Sequence, residues 1–393
     1  MLINRKILSN TTATKFQVRR KYRERKGPLL EKDYTCWYPH RSLTIDQLGE
    51  CYICTCEAWL PYSVGNILEF DDLTDIWTNN IARKLQNNTK TGTTFKFCDT
   101  SICNPWSKSY QQARALPYQI AICTDDSCNL RCPSCRTDLI HFNKGPIYEK
   151  RKLYTDRITS LMKDFDLPVS CALGGSGEIF SSKILSDVLY NYEPNDKHRF
   201  KIKTNGTLID NRVKDSPIMQ KLSEFTISID AGSKSVYDVV RPPANWNKLR
   251  SNLDFLRENN FQLSFNFVLQ KANLYDVINF ADLCEHYGAI GHYEGINDWG
   301  TWNYETYLKQ RIHQPEDELY SEWNKIKEQL LQHSWRDYLI FASNIDTENQ
   351  FTYERLYSKH PNKNYLPLGY NENDGTYHSE RHPMLGLKWT LDN

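Results

Sequence analysis

Cys128, Cys132 and Cys135 stand within one short run, spaced C-x3-C-x2-C, and no fourth cysteine follows at ligand spacing. A fold that carries this run must gather three sulfur atoms on one loop. A tetrahedral structural zinc site asks for four ligands, and so does a closed electron-transfer cluster. Three thiolates can hold three irons of a 4Fe–4S cluster and leave the fourth iron open to a substrate. A zinc knuckle or a redox dithiol is the plainer alternative for the triplet alone.

The 393 residues exceed one typical domain, which predicts one large domain with a satellite. With 49 basic and 48 acidic residues the net charge is +1, so the chain lacks the global electrostatic footprint of a nucleic-acid binder. Twelve cysteines are too few for a disulfide scaffold in a chain of this length, and they cluster. Clustered cysteines without a secretory signal point to metal and to a reducing compartment, hence the cytoplasm. No apolar run approaches the roughly 18 residues of a membrane span. Residues 1–32 hold a basic run from Arg19 to Lys26, interrupted by Tyr22 and Glu24. This reads as a solvated or partner-binding tail, with an Arg-rich transit peptide as the other reading.

From Tyr118 to Ile296 a strand–loop–helix unit repeats. The strand signals are Tyr118–Thr124, Val169–Leu173, Phe200–Lys203, Phe225–Asp230, Leu263–Leu269 and Ile290–Ile296. Between them apolar residues recur at helical spacing, as in Ile184, Leu185, Val188 and Leu189. Short strands alternating with helix-length segments predict βαβ units and a parallel sheet. Chemistry in such sheets gathers beyond the carboxyl ends of the strands, and every unusual motif falls there. The cysteine triplet follows the first strand, and Gly174-Gly175-Ser176-Gly177-Glu178 the second. Thr204-Asn205-Gly206 follows the third; the fourth runs into Ser228-Ile229-Asp230, with Tyr237 and Arg241 beyond. Asn266 interrupts the apolar fifth strand, where a buried amide would need a partner. Tyr293-Glu294-Gly295-Ile296 ends the sixth.

These ordered motifs resemble the radical S-adenosylmethionine superfamily. The resemblance implies a partial (β/α)6 TIM-like barrel over 111–296, a 4Fe–4S cluster on Cys128, Cys132 and Cys135, and S-adenosylmethionine on the open iron. It implies that the glycine-rich stretch Gly174 to Gly177, with Ser176 and Glu178, meets the methionine amino group, and that Thr204 and Asn205 form a cofactor-facing turn. Ser228 or Asp230 would meet the ribose, Arg241 the carboxylate and Glu294 the adenine, with Asn266 added to the cofactor set. Ser134 departs from the family, which often carries an aromatic residue just before the third cysteine. That departure touches the adenine contact and leaves the cluster ligands in place.

A second cysteine set precedes the barrel: Cys36, Cys51, Cys54, Cys56, Cys98 and Cys103. Twelve residues lie between Cys36 and Gly49, and four between Gly49 and Cys54; Gly65-Asn66-Ile67 and a segment with Trp77 follow. Residues 33–110 thus resemble the SPASM or twitch module, which usually stands after the barrel and here stands before it. The resemblance implies one auxiliary 4Fe–4S cluster on Cys36, Cys54, Cys98 and Cys103. A structural zinc ribbon on the same residues is the alternative. Cys51 and Cys56 read as spare thiols, and Cys123, Cys171 and Cys284 as core residues.

Residues 297–393 read as a mostly helical or irregular extension. Trp299, Trp302, Tyr304 and Tyr307 crowd its start, either as a substrate wall or as a cover on the barrel mouth. Pro315 to His333 has the spacing of an amphipathic helix opened by three acidic residues.

The expected activity is reductive cleavage of S-adenosylmethionine and hydrogen abstraction from a substrate. The auxiliary cluster suits an oxidation or an oxidative bond formation, on a peptide or on a sugar or other small metabolite. A flavodoxin- or ferredoxin-type donor would supply the electron. The rival expectation is a non-catalytic zinc protein that binds nucleic acid or a protein partner.

Overall fold

Side chains of the third barrel strand alternate between two environments: His198, Phe200, Ile202 and Thr204 are buried, while Arg199, Lys201 and Lys203 are not. That alternation runs through the sheet of this computed structural model, which describes residues 38–54, 63–90, 116–297 and 299–342. It also describes the short strand pairs 35–36 with 106–107 and 370–371 with 376–377.

The strands in chain order are β1 (Thr35–Cys36), β2 (Ser42–Ile45), β3 (Glu50–Tyr52), β4 (Gly65–Asn66), β5 (Trp106–Ser107) and β6 (Gln119–Ile122). They continue as β7 (Val169–Leu173), β8 (His198–Thr204), β9 (Leu222–Ser228), β10 (Leu263–Leu269), β11 (Ile290–Gly295) and β12 (Leu339–Phe341). One ten-stranded sheet has the order β12-β11-β10-β9-β8-β7-β6-β2-β3-β4. Pairing is parallel from β12 to β2 and antiparallel through β3 and β4. The parallel α/β arrangement expected from the sequence is present.

The helices are α1 (Leu73–Thr78), α2 (Asn80–Lys90), α3 (Pro146–Lys163), α4 (Lys183–Asn191), α5 (Lys234–Val240) and α6 (Trp246–Glu258), then α7 (Val277–Tyr287), α8 (Tyr304–Leu308) and α9 (Tyr320–Gln332). Local chemistry sets their ends. Ser182 caps α4 by accepting the Leu185 N–H at 3.0 Å, and Asn245 caps α6 through the Lys248 N–H at 3.0 Å. Helix α7 stops at Gly288, whose φ of 62° is the left-handed C-cap conformation. Among the described residues no helix is long and apolar enough to cross a membrane.

The sheet is wider than the six strands read from the sequence. On one side β2 of the N-terminal module pairs with β6, Ser42 opposite Gln119 through Ile45 opposite Ile122. On the other side β12 pairs with β11, and Phe341 stacks on Tyr293 at 5.4 Å. The segment expected as a helical or irregular extension therefore contributes a further helix–strand unit, with Trp323, Ile326 and Leu330 of α9 buried. Helix α9 begins at Tyr320 and not at Pro315. Asp317 Oδ1 accepts the Leu319 N–H at 2.9 Å, a local turn that competes with helix formation.

One face of the sheet carries Ile120, Ile122, Cys171, Leu173, Phe200, Ile202, Phe225, Ile227, Phe265, Phe267 and Tyr293, all buried. The other carries Lys201, Lys203, Glu224, Thr226, Ser228, Asn266, His292 and Glu294, in register across neighbouring strands. A parallel sheet covered on both faces reads as nearly continuous apolar runs. This one is apolar on one face and polar on the other.

Candidate active site

The loop after β6 is anchored before it reaches the cysteines. Asp125 is fully buried; its Oδ1 accepts the Ser127 N–H, the Ser127 hydroxyl and Arg151 Nη1, and its Oδ2 accepts the Ser182 hydroxyl at 2.6 Å. Arg151, on α3, also pairs with Asp126 Oδ1 at 2.5 Å and lies over the Phe142 ring. One buried guanidinium thus fixes the entry to the loop from the side of the helix layer.

Within the loop, Cys128 N–H donates to the Ile140 carbonyl at 2.7 Å, and Cys128 Sγ accepts the Leu130 N–H at 3.4 Å. The Cys132 carbonyl accepts the Cys135 and Arg136 N–H groups at 2.8 and 3.0 Å, which folds the C-x2-C segment into a turn. Cys128 and Cys132 are buried with Leu130, and Cys135 packs against them. None of the three is in a disulfide, and neither are Cys51, Cys54, Cys123, Cys171 and Cys284.

Two arginines reach the sulfurs. Arg136 Nη2 lies 3.7 Å from Cys135 Sγ, and Arg241 Nη1 lies 3.7 Å from Cys132 Sγ. Arg241 also pairs with Asp230 Oδ2 at 2.6 Å. Asp230 holds a left-handed φ of 60°, a conformation asparagine and aspartate tolerate best, and accepts the Val268 N–H at 2.9 Å. The guanidinium expected to meet a carboxylate from the cofactor therefore already faces Asp230 and a cysteine.

The glycine-rich turn sits directly on the cysteine loop. A Cβ at Gly177 would stand 2.5 Å from the Ser127 carbonyl oxygen, so no larger residue fits. Glu178 N–H donates to that same carbonyl at 2.7 Å. The Glu178 carboxylate is buried and accepts the Thr204 hydroxyl at 2.6 Å and the Asn205 N–H at 2.5 Å. Burial raises its pKa against the pull of those donors. Asn205 Nδ2 donates to Asn129 Oδ1, whose own Nδ2 donates to the Thr207 hydroxyl. Cysteine loop, glycine turn and Thr-Asn-Gly turn form one hydrogen-bonded unit.

Cys128, Cys132, Cys135, Gly174 to Glu178, Thr204, Asn205, Asp230 and Arg241 thus come together at the carboxyl ends of β6 to β9. Ser228, Asn266 and Glu294 lie on the polar face of β9 to β11, half-buried. Asn266 is not a sealed core amide, and its carbonyl accepts the Ile229 and Asp230 N–H groups. Deeper on that face Lys201 pairs with Glu224, and the Thr226 hydroxyl donates to Glu224 at 3.2 Å. Burial would raise the Glu224 carboxyl; Lys201 and His292 outweigh it and hold it near about 2.

The donor set fits an anionic cluster with a cofactor beside it. Tyr237 Oη and Arg241 Nε are buried without a hydrogen-bond partner. The charged and polar groups acting on Tyr237 are Arg241, Cys132, Asp230 and Glu178. Buried polar atoms normally have partners, so these two are groups that a polar ligand beside the loop would satisfy. One tetrahedral zinc at about 2.3 Å from each ligand draws its ligand atoms to within about 3.8 Å of one another.

Among the described residues, Asp282, Glu285 and His333 form a group whose ligand atoms lie within 4.8 Å of one another. His333 Nδ1 accepts the Trp335 N–H at 3.0 Å, so the neutral ring carries its proton on Nε2, opposite Asp282 Oδ1 at 3.0 Å. A protonated Nε2 donates and cannot ligate a metal.

In the N-terminal module, Gly49 has φ 74°, and a Cβ there would stand 2.5 Å from the Tyr154 ring of α3. Asn66 Nδ2 donates to the Leu48 carbonyl at 2.9 Å, and Trp77 is buried. Cys54 is buried, and its carbonyl accepts the Thr44 hydroxyl. Cys36 lies on β1, while Cys56, Cys98 and Cys103 lie outside the described residues.

Residues 36–105 match the SPASM family, an iron–sulfur cluster-binding domain. The N-terminal segment is a SPASM module. No curated protein matches the chain closely enough to count as a relative. Among solved structures, Streptococcus suis SuiB bound to S-adenosylmethionine is 17% identical with a TM-score of 0.39, over 70% of this chain and 57% of that one. The same protein bound to precursor peptide SuiA is 14% identical, with a TM-score of 0.40 over 80% and 72%. A spore photoproduct lyase mutant with dinucleoside spore photoproduct is 10% identical, with a TM-score of 0.37 over 55% and 75%. Against SuiB alone and SuiB bound to S-adenosylmethionine the match spans 55% and 57% of SuiB, little more than half its length. The sequence-based reading did not single out Arg136 or Arg151, which the structure places beside the SPASM-linked barrel loop.

Proposed function

We propose that the chain is a radical S-adenosylmethionine enzyme. The observation that carries this reading is the loop of three cysteine thiols, none in a disulfide, with two buried guanidiniums on its sulfurs and the buried Tyr237 hydroxyl nearby. Cys128, Cys132 and Cys135 would hold the cluster. When bound, the cluster and S-adenosylmethionine supply a 5′-deoxyadenosyl radical able to take hydrogen from an unactivated C–H bond.

The protein's part is orientation and exclusion of water. Glu178 locks the glycine turn to Thr204 and Asn205, which fixes the backbone beside the cysteine loop that would hold the cluster. Asp230 and Tyr237 stand next to it, with Arg241 between Asp230 and Cys132. The polar face of β8 to β11 favours a substrate with many hydrogen-bonding groups, a peptide first and a sugar or small polar metabolite second. The SPASM module would hold an auxiliary cluster through Cys36, Cys54, Cys98 and Cys103, able to accept an electron from a substrate radical. That supports an oxidation or oxidative bond formation, with a flavodoxin- or ferredoxin-type protein as the initial donor.

Anaerobic purification tests the reading. Brown, iron-rich protein that releases 5′-deoxyadenosine from S-adenosylmethionine on reduction supports it. Colourless protein with stoichiometric zinc and no iron sinks it and leaves the non-catalytic zinc-binding alternative.

A further inference from the structure

Arg136 is a buried cation whose hydrogen bonds go to two carbonyls and a cysteine sulfur and to no carboxylate among the described residues. Its exposure is 6%, Nη1 donates to the Asp126 carbonyl at 2.8 Å, and Nη2 donates to the Ser176 carbonyl at 2.8 Å. Its remaining contact is Cys135 Sγ at 3.7 Å. Among the described residues no acid forms an ion pair with it; the Asp126 carboxylate is taken by Arg151. Guanidinium stays charged in proteins, and an uncompensated buried charge is strongly unfavourable. A nearby anion is therefore required; Cys135 and Cys128 on this side of the loop act on it most strongly, ahead of the Asp126 carboxylate. Arg241 differs, because Asp230 already balances it.

We infer that Arg136 is the counter-ion of the barrel-loop cluster and ties the charge of that cluster to the glycine turn. The inference rests on the function proposed above. Reduction adds one negative charge to the cluster, so a fixed cation at Cys135 stabilises the reduced form and raises its potential. Because the same guanidinium grips the Ser176 carbonyl, it also holds the Gly174–Gly177 turn against the cysteines. Arg136 is thus a positioning residue that acts through the cluster and through the turn.

The test is a redox titration of the anaerobically loaded full-length protein, following the paramagnetic signal that changes on adding S-adenosylmethionine. Arg136→Gln should lower the equilibrium constant for reduction tenfold or more, with about 59 mV per factor of ten for a one-electron couple. Arg136→Lys keeps the charge and should stay within a few-fold of the parent. A Gln variant with parental iron content and parental potential overturns the inference, as does a Lys variant that falls as far as Gln. If the Gln variant takes up no barrel-loop iron, the Lys variant decides: parental loading and potential support the counter-ion role, and failure to load refutes it. A parent protein that shows no signal responsive to S-adenosylmethionine would fail the proposed function itself, a different result from an unchanged Gln variant.

Discussion

Glu178 and Asn205 are joined by a hydrogen bond of 2.5 Å from the Asn205 backbone N–H to the Glu178 carboxylate, across the gap between two loops. The same carboxylate holds the Thr204 hydroxyl. Replacing Glu178 by alanine leaves a buried amide and a buried hydroxyl without their acceptor. The expected loss is roughly 1.5–3 kcal/mol for each charge-assisted bond removed. Affinity for S-adenosylmethionine should fall about tenfold or more, because about 1.4 kcal/mol of lost loop order is already a factor of ten. Urea unfolding and direct binding measurements check this. Glu178→Gln keeps one acceptor and should fall between parent and alanine; equal behaviour of all three would make the contact incidental.

Arg151 carries a heavier structural duty. Its removal strands the Asp125 and Asp126 carboxylates in a site of almost no exposure. Breaking a buried pair from one side costs about 3–5 kcal/mol. Arg151→Met should therefore lower stability by that order and reduce iron retained in the barrel loop. Parental stability in a denaturant titration would contradict the geometry.

The polar face makes a pH prediction. Glu224 has its carboxyl held down from 4.5 to about 2, so the folded state binds fewer protons than the unfolded one between those values. Its contribution is complete above pH 4.5 and is lost as pH falls toward 2. His292 is pushed by burial from 6.5 down to about 4, so stability also declines as pH drops through that window. The difference in unfolding free energy between parent and Glu224→Gln should shrink as acid is added. A constant difference would mean that the Lys201 contact does not set this titration.

The two cysteine sets should separate by mutation. Alanine at Cys128, Cys132 and Cys135 should abolish 5′-deoxyadenosine release while iron remains in the SPASM module. Alanine at Cys36 and Cys54 should remove about one four-iron cluster, leave cleavage of S-adenosylmethionine, and depress product formation far more. Iron analysis with both assays reads the outcome; full product yield without the N-terminal iron would leave that cluster no part in turnover.

The sequence makes the cysteine loop visible because thiolate spacing is a local property, and the strand–helix alternation visible because each unit is short. Arg136 and Arg151 escape such a reading. A lone arginine beside a cysteine, or on a helix like α3, looks like any solvated surface charge until the fold brings a carbonyl or a carboxylate to it. The place of β2 escapes for a related reason. Ser42 and its partner Gln119 lie 77 positions apart, and the four residues Ser42–Ile45 carry no signal of that distant neighbour. Leu339–Phe341 is shorter still, and its pairing with Gly291 to Tyr293 depends on α9 returning the chain to the sheet.

The seam between β2 and β6 orders events during synthesis. Strand β2 emerges first and can pair at once with β3, Thr44 opposite Tyr52. Its other edge must wait until β6 has been made, and an unpaired edge is a template for wrong partners. The last bond of the finished seam runs from the Cys123 N–H to the Ile45 carbonyl at 2.9 Å, just ahead of the cysteine loop. A nascent chain halted before β6 would expose that edge, and excision of β2 from the finished protein would uncover its counterpart on β6. The early-made hairpin is thus paired on one edge only until β6 closes the other.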